Sequence, residues 1–256
     1  MIVALIDSGL GMLPTAAHLR ESRPELDLVL MMDPDNAPWG PKPDAWVIER
    51  VVGTARHAVE LGAEVVVLPC NTASVTALSQ VRAALGDSIP VVGTVPAIKP
   101  AAAVSDRIAI WATAATTASA YQARLIDEFA SRRTVTSVAC HGLADSIDRG
   151  DSTGIRAAID AAVAATPDDV ESIVLGCTHY PLVLDEIVAR LPDGVTMFDS
   201  AAAVANQTVR RADEVGSARA GTGSVSVWLS GIEGVLPESA HRYREATVLL
   251  DGARAR

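Results

Sequence analysis

Lysine is nearly missing from this chain. Only Lys42, between Pro41 and Pro43, and Lys99, just before Pro100, occur among 256 residues. Pyridoxal chemistry runs through a lysine Schiff base and would have to use one of these two, so no such cofactor is expected. Cysteine is scarce as well: three residues at scattered positions are too few, and odd in number, for a disulfide framework. That usage suits a reducing compartment where thiols stay free. Positive charge is in deficit, with 21 Lys and Arg against 31 Asp and Glu and a formal net charge of −10. Clustered cations drive binding to nucleic acid and to anionic lipid, so neither is expected as a main partner. Long apolar runs are lacking too, since stretches such as Val65 to Leu68 fall far short of the roughly 20 residues a membrane span needs. Met1 leads straight into Ile-Val-Ala-Leu-Ile and Asp7 with no signal-peptide pattern, so a cytoplasmic location is expected.

What is present is apolar patterning, with 49% hydrophobic residues, enough for a substantial core in one large or two small domains. Short apolar runs predict strands at Ile2 to Ile6, Leu26 to Met32, Glu64 to Leu68, Val91 to Gly93, Arg107 to Trp111, Thr134 to Ala139, Ser172 to Leu175, Thr196 to Phe198 and Val225 to Leu229. Between them lie stretches of helical period. Asp44 to Leu61, for example, carries Trp46, Val47, Val51, Ala55, Ala58 and Val59 at spacings of three and four and stops at Gly62. Alternating strands and helices predict an α/β protein with mainly parallel sheets. Ser217 to Ser224, rich in Gly, Ser and Ala, reads as a mobile surface loop before the last strand.

The pattern repeats. A first strand ends at Asp7-Ser8-Gly9, and 63 residues on (70 − 7) another ends at Cys70-Asn71-Thr72. A later strand ends at Ala112-Thr113, and 64 residues on (177 − 113) another ends at Cys177-Thr178-His179. Two similar units therefore follow one another, each offering one thiol at the carboxyl end of a strand, where open α/β sheets bind ligands.

Cys70 and Cys177 each precede residues able to cap and open a helix, and a helix N-terminus stabilises a thiolate. A thiol so placed can act as base or nucleophile. Two other readings remain at this level: buried core cysteines, common for this residue, and a zinc site drawing on Cys177, His179 and Cys140-His141. Paired zinc spacing is absent, so no metal is expected. Gly9 and Gly11 let the turn after Asp7 approach a ligand, but the third glycine of a dinucleotide fingerprint is missing. The loop Pro38-Trp39-Gly40-Pro41-Lys42-Pro43, stiffened by three prolines, suits a preorganised pocket wall or an ordinary surface connection.

Taken together, Asp7-Ser8-Gly9, Cys70-Asn71-Thr72-Ala73-Ser74, Ala112-Thr113-Ala114-Ala115-Thr116, Gly176-Cys177-Thr178-His179-Tyr180-Pro181-Leu182 and Asp199-Ser200 resemble the glutamate racemases of the aspartate/glutamate racemase superfamily. The order and spacing hold from Asp7 to about Arg211. The resemblance implies two like α/β domains, 1–98 plus 211–256 and 99–210, with the active site in the cleft between them. It implies a cofactor-independent racemase supplying D-glutamate for peptidoglycan, with an amino acid as the small-molecule partner; a homodimer stays open. Cys70 and Cys177 would be opposed acid and base, Asp7 would assist the first thiol and His179 the second. Asp148 would be a further catalytic carboxylate, standing where the family has glutamate. Ser8, Pro38, Trp39, Gly40, Asn71, Thr72, Thr113, Thr116 and Thr178 would bind the substrate. Trp39 replaces the family's usual tyrosine, and Thr94-Val95-Pro96 lacks an acid often found before that proline. Two opposed thiols suit racemisation, because a lone base tends to return the proton to the face it left. Two alternatives stand beside this: a related racemase acting on aspartate, a hydantoin or another small acid, and a non-catalytic small-acid binding or regulatory module.

Overall fold

The computed structural model describes residues 1–216 and 220–254. Its strands in chain order are β1 (Ile2–Asp7), β2 (Asp27–Met32), β3 (Val65–Leu68), β4 (Val91–Gly93), β5 (Arg107–Ala112), β6 (Thr134–Ala139), β7 (Ser172–Leu175), β8 (Thr196–Phe198), β9 (Val225–Leu229) and β10 (Ile232–Gly234). Helices connect the parallel strands, as parallel neighbours require. Residues cluster into two compact units, Met1–Thr94 with Ala201–Arg256, and Val95–Ser200. The chain thus returns to the first unit at Ala201 rather than at the expected 211. The reason is the helix Ala201–Val215, which packs on the helix Leu13–Ser22.

The first unit has strand order β10-β9-β2-β1-β3-β4 and the second β6-β5-β7-β8. The segments β2-β1-β3-β4 and β6-β5-β7-β8 are the same arrangement, all parallel, which gives the repeat seen in the sequence a structural form. β1, β2 and β3 are buried at every residue, so they read as continuous apolar runs with helices over both faces rather than as alternating strands. The helix Asp44–Glu60 buries Val47, Val51, Ala55 and Ala58 on one side. It ends in a Schellman motif: Gly62 at φ 91° donates to the Val59 carbonyl, and Ala63 donates to that of Ala58.

β10 was not expected from the sequence. It is three exposed residues pairing antiparallel with β9 at the sheet edge, so it has no buried face to leave a periodic trace. Ser230 and Gly231, both at positive φ, make the turn into it.

Of the stretch read as a mobile loop, 217–219 lie outside the described residues, and 220–224 are fastened rather than loose. Asp27 Oδ1 accepts hydrogen bonds from the backbone and hydroxyl of both Thr222 and Ser224, at 2.7 to 3.0 Å. Burial, the largest influence, pushes the Asp27 carboxyl up, but these bonds together outweigh it and hold it at about 2. A carboxyl depressed below its unfolded value of about 3.9 stabilises the fold above that value, and loses this as pH falls through the folded one. Asp27→Asn is therefore expected to cost roughly 2 kcal/mol at pH 7 and about half of that at pH 3. Urea unfolding of both proteins at the two pH values checks this; an equal cost at both would exclude an electrostatic origin.

Candidate active site

The residues singled out from the sequence all lie at or just beyond carboxyl ends of parallel strands, or on the loops and helices that follow. In the first unit Asp7 is the last residue of β1, fully buried, with its Oδ1 accepting from the Ser8 backbone at 2.7 Å. Ser8 in turn accepts at its carbonyl from the backbone of Asp33, just past β2. Cys70, 6% exposed, is the N-cap of the helix Asn71–Leu85, with Asn71 and Thr72 in the first turn. The leading N–H groups of a helix have no partner within it and carry partial positive charge, which favours a thiolate beside them. Ser74, given no role by sequence reading, steadies this turn: its hydroxyl donates to the Leu68 carbonyl and accepts from the Thr94 backbone, tying the ends of β3 and β4.

Pro38 and Gly40 are exposed, whereas Trp39 is buried and its indole Nε1 donates to Asp33 Oδ2 at 3.0 Å. The Ala37-Pro38 peptide is cis. Asp33 and its partner Arg50 were both missed in the sequence, where neither sits in a recognisable spacing. Burial pushes the Asp33 carboxyl up, but Arg50, Asn36, Trp39 and Ser230 together hold it below the usual range.

In the second unit Thr113 follows β5 and caps the short helix Ala114–Thr117, accepting from the Thr116 backbone and donating to the Thr116 hydroxyl at 3.0 Å. Cys177 stands past β7 at the level of Thr113, since Trp111 pairs with Leu175 across the two strands. Gly176 makes this close approach feasible, because a Cβ there would lie 3.1 Å from both the Trp111 carbonyl and the Ala112 Cβ.

The sequence predicts a helix start after Cys177 as after Cys70, and the structure differs. Cys177 does not head an α-helix: Thr178 and His179 form a turn, closed by the Tyr180 N–H on the Cys177 carbonyl, and a single 3-10 turn Tyr180–Val183 follows. Its polar support is instead a side-chain relay. His179 Nδ1 lies 3.7 Å from Cys177 Sγ, and His179 Nε2 lies 3.1 Å from both Asp148 carboxylate oxygens. Burial pushes the His179 pKa down, but the Asp148 charge, its hydrogen bond and the contact with Cys177 outweigh this and raise it well above the ordinary value. With Nε2 against the Asp148 carboxylate and Nδ1 against the sulfur, the imidazole is held toward its protonated form, in which both ring nitrogens donate.

The third thiol is different. Burial, the largest cause, together with proximity to Cys177, pushes Cys140 up to about 12, so it stays protonated and inert. Among the described residues no group of three or more His, Cys, Asp or Glu is placed to hold a metal ion.

A model of the Asp/Glu/Hydantoin racemase family matches residues 15–208. The glutamate racemase of Ectopseudomonas mendocina is 35% identical over 213 residues, which are 81% of either chain. This chain belongs to the Asp/Glu/Hydantoin racemase family. The glutamate racemase of Proteus mirabilis is 36% identical over 219 residues, 80% of this chain and 74% of its own. Escherichia coli glutamate racemase, crystallised with L-glutamate and the activator UDP-MurNAc-ala, is similar in fold: the TM-score is 0.81 at 26% identity, covering 98% of this chain and 95% of that one. The span matched by the family model contains Trp39, Cys70, Thr113, Asp148, Cys177 and His179, while Asp7 and Ser8 precede it. Among the described residues no helix is long and apolar enough to cross a membrane.

Proposed function

We infer that this chain is a cofactor-independent glutamate racemase in which Cys70 and Cys177 are the two acid–base groups. The observation that supports this best is the pairing of equivalent strand-end thiols, one per repeated unit, each with its own means of holding negative charge. Cys70 has a helix N-terminus, and Cys177 has the His179 imidazole, which Asp148 holds toward its protonated form. One thiol would remain available for acid or base work in a binding module too, but two matched and separately supported thiols are what a two-sided proton transfer needs.

In one direction a thiolate takes the α-proton of the substrate and becomes a thiol, while the other thiol delivers its proton to the opposite face and becomes the thiolate. The reverse direction starts from the swapped protonation state. Between the two transfers the α-carbon carries carbanionic, enolate-like charge, and Thr113, Thr116, Thr178, Asn71, Thr72 and Ser8 are the donors assigned to the substrate's charged groups. Asp7 assists Cys70. The curated relatives reported above are glutamate racemases, which favours glutamate over the aspartate, hydantoin or other small acid of related enzymes. D-Glutamate made in the cytoplasm would serve peptidoglycan synthesis, and a homodimer is the assembly to test by light scattering.

Incubation in heavy water tests the reading. Glutamate of either hand is expected to incorporate one Cα deuterium per turnover and to racemise, with aspartate, hydantoins and neutral amino acids far slower. Brisk exchange of one of those with none of glutamate would sink the substrate assignment, and exchange of no candidate would sink the enzyme.

A further inference from the structure

We propose that Asp33, clamped by Arg50, is a positioning residue that aims the Trp39 wall of the substrate pocket through the indole N–H; this rests on the assignment of Pro38, Trp39 and Gly40 to substrate binding. Asp33 is 3% exposed and sits at the carboxyl end of β2. Its carboxylate accepts five side-chain hydrogen bonds: Arg50 Nε at 2.8 Å and Nη2 at 2.6 Å, Asn36 Nδ2 at 2.9 Å, Trp39 Nε1 at 3.0 Å and Ser230 Oγ at 3.0 Å. Its backbone N–H donates to the Ser8 carbonyl. One residue therefore joins the Asp7-Ser8 turn, the Pro38-Trp39-Gly40 loop, the helix Asp44–Glu60 and the turn between β9 and β10.

Trp39 is 1% exposed and packed in the core of the first unit, so its indole N–H bond adds direction to a ring already held by its neighbours. A cavity of about 160 Å³ lies against the ring, lined also by Met31, Arg50, His57 and Trp228. A flat ring in a core can still tilt toward such a cavity, and the bond from Nε1 to Asp33 opposes that tilt. The Arg50 fork grips both carboxylate oxygens and leaves Asp33 little freedom to follow a moving ring. His57 and Trp228, edge to face at 4.8 Å, line the same cavity. A tyrosine at this position would reach differently, so Asp33 and Arg50 are the parts that make an indole serviceable here.

The test is a double-mutant cycle on Trp39→Phe and Asp33→Asn, read with whichever amino acid the wild-type protein exchanges in heavy water. Failure of the glutamate assignment is thus separated from failure of this proposal. Trp39→Phe keeps a ring but removes the donor, and is expected to raise KM on the order of tenfold with kcat changing much less, as for lost ground-state positioning. Asp33→Asn should raise KM by a similar factor. The double variant should be no worse than the more affected single one, because Asp33 acts through Trp39. Should Asp33→Asn fail to fold, Arg50→Lys, which retains the charge and loses the fork, takes its place in the cycle. KM effects that multiply in the double variant, or an unchanged KM in folded Trp39→Phe, would overturn the proposal. Independent structural damage would show as multiplying effects with a matching loss of Tm.

Discussion

Cys70→Ser and Cys177→Ser are each expected to lower kcat/KM for racemisation by about 10⁴ or more while the fold persists. A positioned acid–base group contributes about 10² to 10⁴, and a hydroxyl in place of a thiol is so weak an acid that half of a two-sided device is lost outright. L- and D-enantiomers have equal free energy, so the equilibrium constant is one and each variant must lose kcat/KM by the same factor in both directions. Racemisation rates alone therefore cannot tell which thiol serves which hand. Solvent exchange can. The remaining thiolate still removes the α-proton from the face it addresses and returns a solvent-derived one to that face, giving exchange without inversion. Each serine variant is expected to exchange one enantiomer only, and the two variants opposite enantiomers. Near wild-type racemisation by either variant would refute the two-thiol assignment, and exchange of the same hand by both would refute the opposed arrangement.

The sequence carried the strands of this protein well because they are short, apolar and bounded by turn residues; β5 and β6 fall within a residue of where their apolar runs place them. β10 was invisible because an exposed edge strand of three residues has no buried face to constrain its composition. The duplication was legible as two spacings, and the parallel registers explain why: Ile108 pairs with Ser172, an offset of 64 (172 − 108), the same as that between Thr113 and Cys177. The return of the chain to the first unit was misplaced because the helix Ala201–Val215 is amphipathic whichever unit it covers, and only its packing decides.

At the candidate site, the residues singled out from the sequence stand in local motifs or in the family resemblance, and Asp33 and Arg50 stand in neither. Cys70 at a helix N-cap follows from its neighbours. The partner of Asp33, by contrast, lies 17 residues on, at Arg50, in a helix whose polar side gives no hint of a clamp. The symmetry of the sequence also misled in one respect, since Thr178-His179 has capping character yet opens only a 3-10 turn. Pro181, two residues after His179, and the Tyr180 contact with the Cys177 carbonyl set a tight turn in place of a helical start. The two units thus surround their strand-end thiols differently, with a helix N-terminus in one case and the His179–Asp148 pair in the other.

That difference gives Asp148 a testable weight. With its carboxylate present, the His179 pKa is raised well above its ordinary value despite burial, and wild-type kcat/KM is expected to vary little with His179 between about pH 6 and 8. In Asp148→Asn the opposing charge is gone and burial, the largest single influence on this imidazole, is expected to carry its pKa to or below the ordinary value. The proton then leaves as pH rises, Cys177 loses its cationic neighbour, and kcat/KM should fall on the order of 10²-fold by pH 8 while remaining closer to wild type at pH 5.5. Stability follows the same sign: a histidine raised above its unfolded value of about 6.5 stabilises the fold below that value and loses this as pH climbs through the folded one. The wild-type advantage in unfolding free energy over Asp148→Asn should accordingly be larger at pH 6 than at pH 9. Asp148→Glu keeps the charge and should restore the flat profile. A pH profile for Asp148→Asn parallel to that of the wild type, or an Asp148→Glu variant as impaired as the asparagine one, would show that the carboxylate does not act through the charge of His179.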